Sequence, residues 1–572
     1  MSETESKTSQ TTEEVPMFLK CKGEKLNKVI TTMCGVGFFL FGYDQGVMGS
    51  LLTLPTFRAT FPEMDTVSND EQSYAIWQGF VIGIYAVGCF LGGLSTMYIG
   101  DKFGRVKMIF WGCVIIVIGG ILQAAAISTD FLITARIISG VGNGLLTATV
   151  PLYAAECSKA NSRGKMLCIH GSLITFGIAV SYWIDFAFYF TEPLEPHGEV
   201  SWRFPIAFQL IFPVGICCFG TTFPESPRWL MGQSRREEAA LVFASLYDKV
   251  PSHPYVQLLC DDIAKSLDAE KKAGGNKFSL KNLLKQGPRK NFQRVNLAGW
   301  SQVMQQICGI NLITYYAGTI FESYIGMDPL ESRILAACNG TEYFLASLIP
   351  IFVIERVGRR KLFLFGTSGQ CLSMLLLYVC MEIAEQGNDG GSIGAAVMLF
   401  AFNTFFGMSL LSLTWLYPPE VSSLEVRAPT TGISTACNWG FNFMVVMITP
   451  ICFNAIDHHT YLIFFAINFL MVPVFYFLYP ETRGRTLEEM DLIFEETPTW
   501  KPWKSVHLAA TMPYLHEKDD LESFKARASH EQYSNVGDSA ESDAGLMDQK
   551  AEAKYVEDTN REESSNKDES RV

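Results

Sequence analysis

The stretch PLYAAECSKANSRG (151–164) is answered by YPPEVSSLEVRA (417–428), and this answering decides the architecture. Glu156 in the first corresponds to Glu420 in the second. Two further motifs repeat in the same order: Asp101 in GDKFGR is matched by Glu355 in ERVGRR, and PESPR from Pro224 by PETRG from Pro480. The displacements are 254, 264 and 256 residues. Three motifs in one order at nearly one displacement imply two related halves, with a cleft between them where a solute would sit.

Composition says what fills each half. The chain has 572 residues, 48% hydrophobic and only 18% charged, with 42 Phe. Apolar stretches of about 20 residues, enough to cross a bilayer, recur with charged loops between them. No water satisfies backbone groups at that depth, so each must be a helix. The spans fall near 29–52, 74–98, 108–126, 131–155, 167–190 and 203–223, then 295–321, 333–354, 362–383, 393–417, 430–455 and 461–479. The expected fold is an all-α membrane protein of twelve transmembrane helices in two pseudo-symmetric six-helix bundles. Its parts are an N-terminal tail (1–28), a first bundle (29–223), a linker with short amphipathic helices (224–294), a second bundle (295–480) and an acidic, largely disordered tail (481–572). Much of the net charge of -13 belongs to that last tail. The fifteen cysteines lie mostly in apolar runs without paired spacing and read as small packing residues.

Basic residues set the orientation. Lys20, Lys22, Lys25 and Lys28 precede the first span, Lys102, Arg105 and Lys107 follow the second, and Arg356, Arg359, Arg360 and Lys361 follow the eighth. The opposite loops carry Glu63, Asp65, Asp70 and Glu71, and later Glu382, Glu385 and Asp389. By the positive-inside rule both termini and the linker are cytoplasmic, with the plasma membrane as the expected location. No cleavable signal peptide is evident at the start, so the first span would direct targeting.

Two charges sit inside spans: Asp44 in GVGFFLFGYDQGVMGSLL and Arg136 in FLITARIISGVGNGLL. An unpaired ion there costs roughly 3 kcal/mol or more, so the two should face the interior and neutralise each other. Gly140 and Gly144, and Gly42 and Gly46, would let neighbouring helices approach closely. A static ion pair is one reading. The other is a proton switch, since a carboxylate drawn toward neutrality by its apolar setting and toward charge by Arg136 is poised to titrate.

A solute site is legible in the second half. A polyhydroxylated solute needs amides and hydroxyls, plus a flat ring for its C–H face. In GWSQVMQQICGINLITYY a break at Gly309 would let Gln305, Gln306 and Asn311 converge. In TTGISTACNWGFNF, Thr431, Thr435, Asn438 and Asn442 form one polar ridge. Trp415 stands just before Pro418 and Pro419, where the helix should weaken. For each amide taken singly, interhelical hydrogen bonding is the competing role.

The motifs FGYDQGVMGSLL, YWIDF, GRRKLFLFG, GMSLLSLTWLYPPE and CNWGFNF resemble the sugar porter branch of the major facilitator superfamily, and the likeness runs from Gly42 to Asp491. Within that branch it points to fungal proton symporters, the glycerol/proton symporter group above all. The resemblance implies a major facilitator fold, Asp44 and Arg136 as the proton-linked pair, and Gln305, Gln306, Asn311, Trp415 and Asn438 at sugar-contacting positions. Two positions depart from the hexose porters: a Gln of the fifth span is Gly171 here, and an Asn of the eighth is Tyr343. Both remove hexose contacts and argue for a smaller or differently shaped solute. His170, beside Gly171, reads as a packing residue.

Asp101, Arg105, Glu156, Arg163, Glu225, Arg228, Glu355, Arg359, Arg360, Glu420, Arg427, Glu481 and Arg483 all fall at cytoplasmic ends of spans. Solvated surface charge is the plain reading; the duplication favours a gate that clips the halves together when the outer cleft is open. Asn339 in NGT lies inside a span, and His458 and His459 stand outside, isolated from ligands. No metal cluster, nucleotide loop or catalytic triad is visible, so an enzyme is not expected. The expectation is a monomeric symporter of a sugar or polyol and H⁺, with no cofactor besides protons, no metal and no nucleic-acid partner. Facilitated hexose diffusion and a non-transporting nutrient sensor are the alternatives.

Overall fold

Glycine decides where helices of the first half touch. A Cβ on Gly140 or Gly144 would collide with the carbonyl of Tyr85 or Cys89, and one on Gly42 with that of Ile174. These contacts hold the fourth span against the second, and the first against the fifth, at backbone distance. In the computed structural model, residues 16–513 are described, apart from 19, 70, 158–162, 193–197, 221, 273–285, 424, 425 and 486.

The first half comprises α1 (Glu24–Gly46), α2 (Gln72–Phe103), α3 (Arg105–Ala124), α4 (Thr129–Cys157), α5 (Arg163–Tyr189), and a sixth segment in two pieces, α6 (Val200–Phe208) and α7 (Ile211–Gly220). The linker contributes α8 (Arg236–Tyr247) and α9 (Pro254–Lys272), packed on each other through Phe243, Val256 and Cys260. The second half holds α10 (Asn291–Ile307), α11 (Ile310–Thr319), α12 (Pro329–Leu348), α13 (Pro350–Val357), α14 (Arg359–Glu385), α15 (Asp389–Gly407), α16 (Leu410–Val421), α17 (Arg427–Ile456) and α18 (Thr460–Leu478). The halves meet where α2 packs on α17 and α5 on α12.

Nine stretches of the described residues are long and apolar enough to cross a membrane, ten if the bent pair α12–α13, angled by 41°, counts as one. Twelve were expected, and two features of the chain bear on the difference. The apolar stretch Pro429–Leu478 has 50 residues, far more than the ~20 one crossing needs, and contains the two helices α17 and α18. The α10–α11 pair is broken at Gly309, whose φ of +109° suits glycine.

The tail begins later than expected. Beyond Pro480 the chain forms α19 (Leu487–Glu495) and α20 (Lys504–Thr511). Arg294, fully buried, pairs with Asp491 and lies 4.4 Å over the Phe494 ring. Ile493 and Phe494 are themselves buried, so the apolar face of LEEMDLIFE docks where charge counting alone suggested solvent. The rest of the acidic tail lies outside the described residues.

Candidate functional site

The break at Gly309 builds the site. Because α10 stops at Ile307 and α11 restarts at Ile310, Asn311 turns back toward Gln306 and donates to its Oε1 at 2.5 Å. From α17, Asn438 Nδ2 donates to Gln302 Oε1 at 2.6 Å and Gln305 Oε1 at 2.9 Å. One turn on, Asn442 Nδ2 donates to Gln306 Oε1 and Asn311 Oδ1, both at 3.1 Å. The amides thus form one connected cluster, and its acceptors and donors can be exchanged for the hydroxyls of a solute.

Gln305, Gln306, Asn311, Asn438 and Asn442 line a cavity with Trp415, Trp439, Phe41 and Tyr343 as aromatic wall and no charged side chain among its lining residues. Gln45, next to Asp44, reaches the same cavity. Gln45 and Trp439 were not singled out in the sequence, although both sit inside quoted motifs; their one-residue offset from Asp44 and Asn438 was the available signal. Thr431 and Thr435, expected on the same ridge, instead turn their hydroxyls onto carbonyls of their own helix.

The weakening near Trp415 takes another form than expected. Helix α16 runs through Pro418 and Pro419 to Val421, and the interruption comes earlier, at Met408–Ser409. Pro418 has no N–H for the carbonyl of Thr414 four residues back. That carbonyl accepts Gln302 Nε2 at 2.8 Å instead, so the proline frees a backbone group that positions a site amide. Gly171 faces α16, not the cavity: a Cβ there would lie 2.9 Å from Ser412 Oγ. His170 stacks on Phe38 at 4.5 Å, as a packing residue would. Asn339 is buried and accepts from Asn403 Nδ2 at 2.7 Å.

Asp44 and Arg136 are both buried, but the expected direct ion pair is absent. Arg136 Nη2 donates to the carbonyl of Ile82 at 2.9 Å, and its Cζ lies 5.3 Å from the centre of the Tyr85 ring. Among the described residues its Nε and Nη1 and Asp44 Oδ1 lack a hydrogen-bond partner, and the Tyr85 hydroxyl lies close to the Asp44 carboxylate. The physical reason is the backbone: a carbonyl of α2 already holds one end of the guanidinium, and the Tyr85 ring occupies one of its faces.

A second buried carboxylate, in YWIDF, was not weighed in the sequence. Neither oxygen of Asp185 has a partner. It lies within electrostatic range of Arg333, which crosses between the halves. Arg333 pairs with Glu322 at 3.0 Å in its own half, donates to Thr53 Oγ1 at 2.9 Å in the other and lies 4.2 Å over the Tyr189 ring. Tyr182 adds a hydrogen bond to the Thr314 carbonyl beneath it. Replacing Arg333 by Gln should remove about 2 kcal/mol of this link, roughly a thirtyfold shift toward the form open on that face. Spin-label distances between residues 53 and 333 flanks, read in the purified carrier, would show the longer population.

Several of the terminal charges pair within their own half. Arg105 holds Glu156 at 3.2 Å, and Glu225 accepts the backbone N–H of Arg105 and Val106, capping α3. In the second half Arg359 holds Glu420 at 2.8 Å and Glu355 at 2.9 Å, and Glu481 accepts the N–H of Arg359 and Arg360, capping α14. Burial pushes the Glu225 carboxyl up from its ordinary value, against the pull of the N–H groups of Ser226, Arg105 and Val106. These ion pairs stay inside one half, so this part of the duplicated motif staples each half in the same way. Arg228 is half-buried in the short helix Pro227–Gly232, Arg427 opens α17, and Arg483 is exposed. The side chains of Asp101 and Arg163 lie outside the described residues.

His458 and His459 are not isolated, contrary to the sequence reading: Glu382, Glu385 and Asp457 surround them. Glu382 and Glu385 come from α14, more than a helix away in sequence, which spacing alone does not reveal.

A family model described as sugar (and other) transporter matches residues 29–494. The sugar transporter STL1 of Saccharomyces cerevisiae is 40% identical over 84% of each chain. The MFS-type transporter oryC of Aspergillus oryzae is 35% identical over 86% of this chain and 89% of its own. The solved proton:xylose symporter XylE superposes with a TM-score of 0.68 at 23% identity, over 82% of this chain and all of its own, which establishes the major facilitator fold.

Proposed function

Because the chain belongs to the sugar (and other) transporter family, whose members are membrane carriers and not enzymes, we propose that it is a plasma-membrane symporter coupling H⁺ to a small polyol or sugar by alternating access. The observation that carries this reading is the amide cluster Gln305–Gln306–Asn311–Asn438–Asn442, walled by Trp415, in a pocket also lined by Gln45, the sequence neighbour of the buried Asp44. Solute recognition and a protonatable group thus sit on adjacent residues of one helix. Gaining a proton takes the charge of Asp44 out of the hydrocarbon layer, and losing it restores the charge; this alternation is what couples the proton to the helix position.

A three-carbon polyol is the favoured cargo. The cavity's amides and flat aromatic walls, with no charge among the lining residues, suit a small polyhydroxylated solute. Leu411 and Ser412 fill the region in front of Gly171 where a longer amide would otherwise reach. Purified carrier in proteoliposomes, inside neutral and outside acidic, should accumulate labelled glycerol while glucose stays at equilibrium. Equal levels of glycerol inside and outside under that gradient would refute coupling; accumulation of glucose instead would refute the polyol assignment.

A further inference from the structure

On the face opposite the basic loops, the end of α14 meets the turn joining α17 to α18. Three carboxylates and an imidazole converge there: His458 Nδ1 lies 3.0 Å from Glu385 Oε1 and 3.7 Å from Asp457 Oδ2, and His458 Nε2 lies 3.3 Å from Glu382 Oε1. The two nitrogens differ. Nε2 is hydrogen-bonded to Glu382, which also accepts the hydroxyl of Tyr378, whose ring stacks on His458 at 5.6 Å. Nδ1 has no hydrogen-bond partner, because Glu385 is close but off the axis of a bond. His458 is only 2% exposed, so this nitrogen is orphaned inside the protein and aimed between two carboxylates.

We propose that His458 Nδ1, Glu385 and Asp457 form a binding site for one divalent transition-metal ion of the zinc type. Five observations support it independently of transport. The three ligand atoms lie within 4.8 Å of one another. Their spacings of 3.0 and 3.7 Å bracket the roughly 3.4 Å between ligands of a tetrahedral zinc at bonds of about 2.1 Å. The Nε2–H of His458 given to Glu382 is the carboxylate–histidine arrangement that fixes the tautomer of a metal ligand and raises its basicity. Three carboxylates face His458 and the exposed His459, whose Nε2 is 3.9 Å from Glu382, so negative charge is in excess even with both rings protonated. With His458 a neutral ligand, a 2+ ion offsets two of the three carboxylate charges, and water completes its shell. Asp457 has φ +48° and ψ -136°, a strained backbone that turns its carboxylate to the same side as the ring that follows it. Bound metal would tie the end of α14 to the α17–α18 turn.

The test uses the full-length carrier, purified without a histidine tag and stripped by chelator, titrated with ZnCl₂ by calorimetry and with CoCl₂ by visible absorption. One saturable equivalent is expected, with a Co²⁺ band of a site of low coordination number. Glu385→Gln and Asp457→Asn should each weaken binding at least tenfold, Glu382→Gln about 10- to 100-fold, and His459→Ala little. Asn tolerates positive φ, so Asp457→Asn should keep the metal-free melting temperature, and Glu385 is exposed enough for the same. No saturable binding, or affinity unchanged in both Glu385→Gln and Asp457→Asn, would overturn the site whether or not the carrier transports.

Discussion

Asp44→Asn should abolish accumulation while leaving exchange. For one proton per solute, a gradient of about one pH unit corresponds to ~1.4 kcal/mol and can sustain about a tenfold concentration ratio. The variant should bring that ratio to one, because an amide cannot cycle between charged and neutral forms. Counterflow of solute across preloaded vesicles, which needs no net proton movement, should persist. Asparagine is nearly isosteric, and Asp44 Oδ1 has no hydrogen-bond partner to lose, so the packing of α1 against α5 is retained. The measurement is solute ratio and lumen pH in the same vesicles. If the variant still concentrates solute, the proton is carried elsewhere, and Asp185, equally buried and unpartnered, becomes the first residue to examine.

Asn438→Ala should have the next largest effect. Its amide serves both Gln302 and Gln305, at 2.6 and 2.9 Å, so truncation leaves the buried Gln302 oxygen without that donor and Gln305 with only the longer 3.4 Å bond from Gln306, in addition to removing a contact. At about 1–3 kcal/mol for an unsatisfied buried group, KM should rise roughly tenfold to a hundredfold. Thr435→Ala, three residues before it on the same helix, loses only a bond to its own backbone and should leave KM unchanged. Equal KM for wild type and Asn438→Ala would remove the amide cluster from the solute path.

The reason some of this was readable in the chain is local. Gln306 and Asn311 stand five apart, an interval no continuous helix brings together, and Gly309 between them supplies the break. The glycine stripe at Gly140 and Gly144 is equally local. The missed features are those in which distant segments decide. Tyr85 stands between Asp44 and Arg136 from a third helix, and no spacing announces it. Arg333 reaches Thr53 from 280 residues away, and His458 meets Glu382 from 76 residues away. The terminal charges were found correctly as a duplicated set, but motif symmetry is silent on whether paired charges close within a half or across. The staples close within because Glu225 and Glu481 cap the helices that Arg105 and Arg359 begin.

Arg294 and Asp491 also bear on how the chain can be handled. A protein shortened just after Pro480 would strand a guanidinium in a greasy socket with nothing to answer it, at a cost of about 3–5 kcal/mol. Reporter fusions and trimmed versions for crystallography should therefore begin their cuts beyond Met512, and a shorter product would be expected to express poorly even though every membrane helix remained.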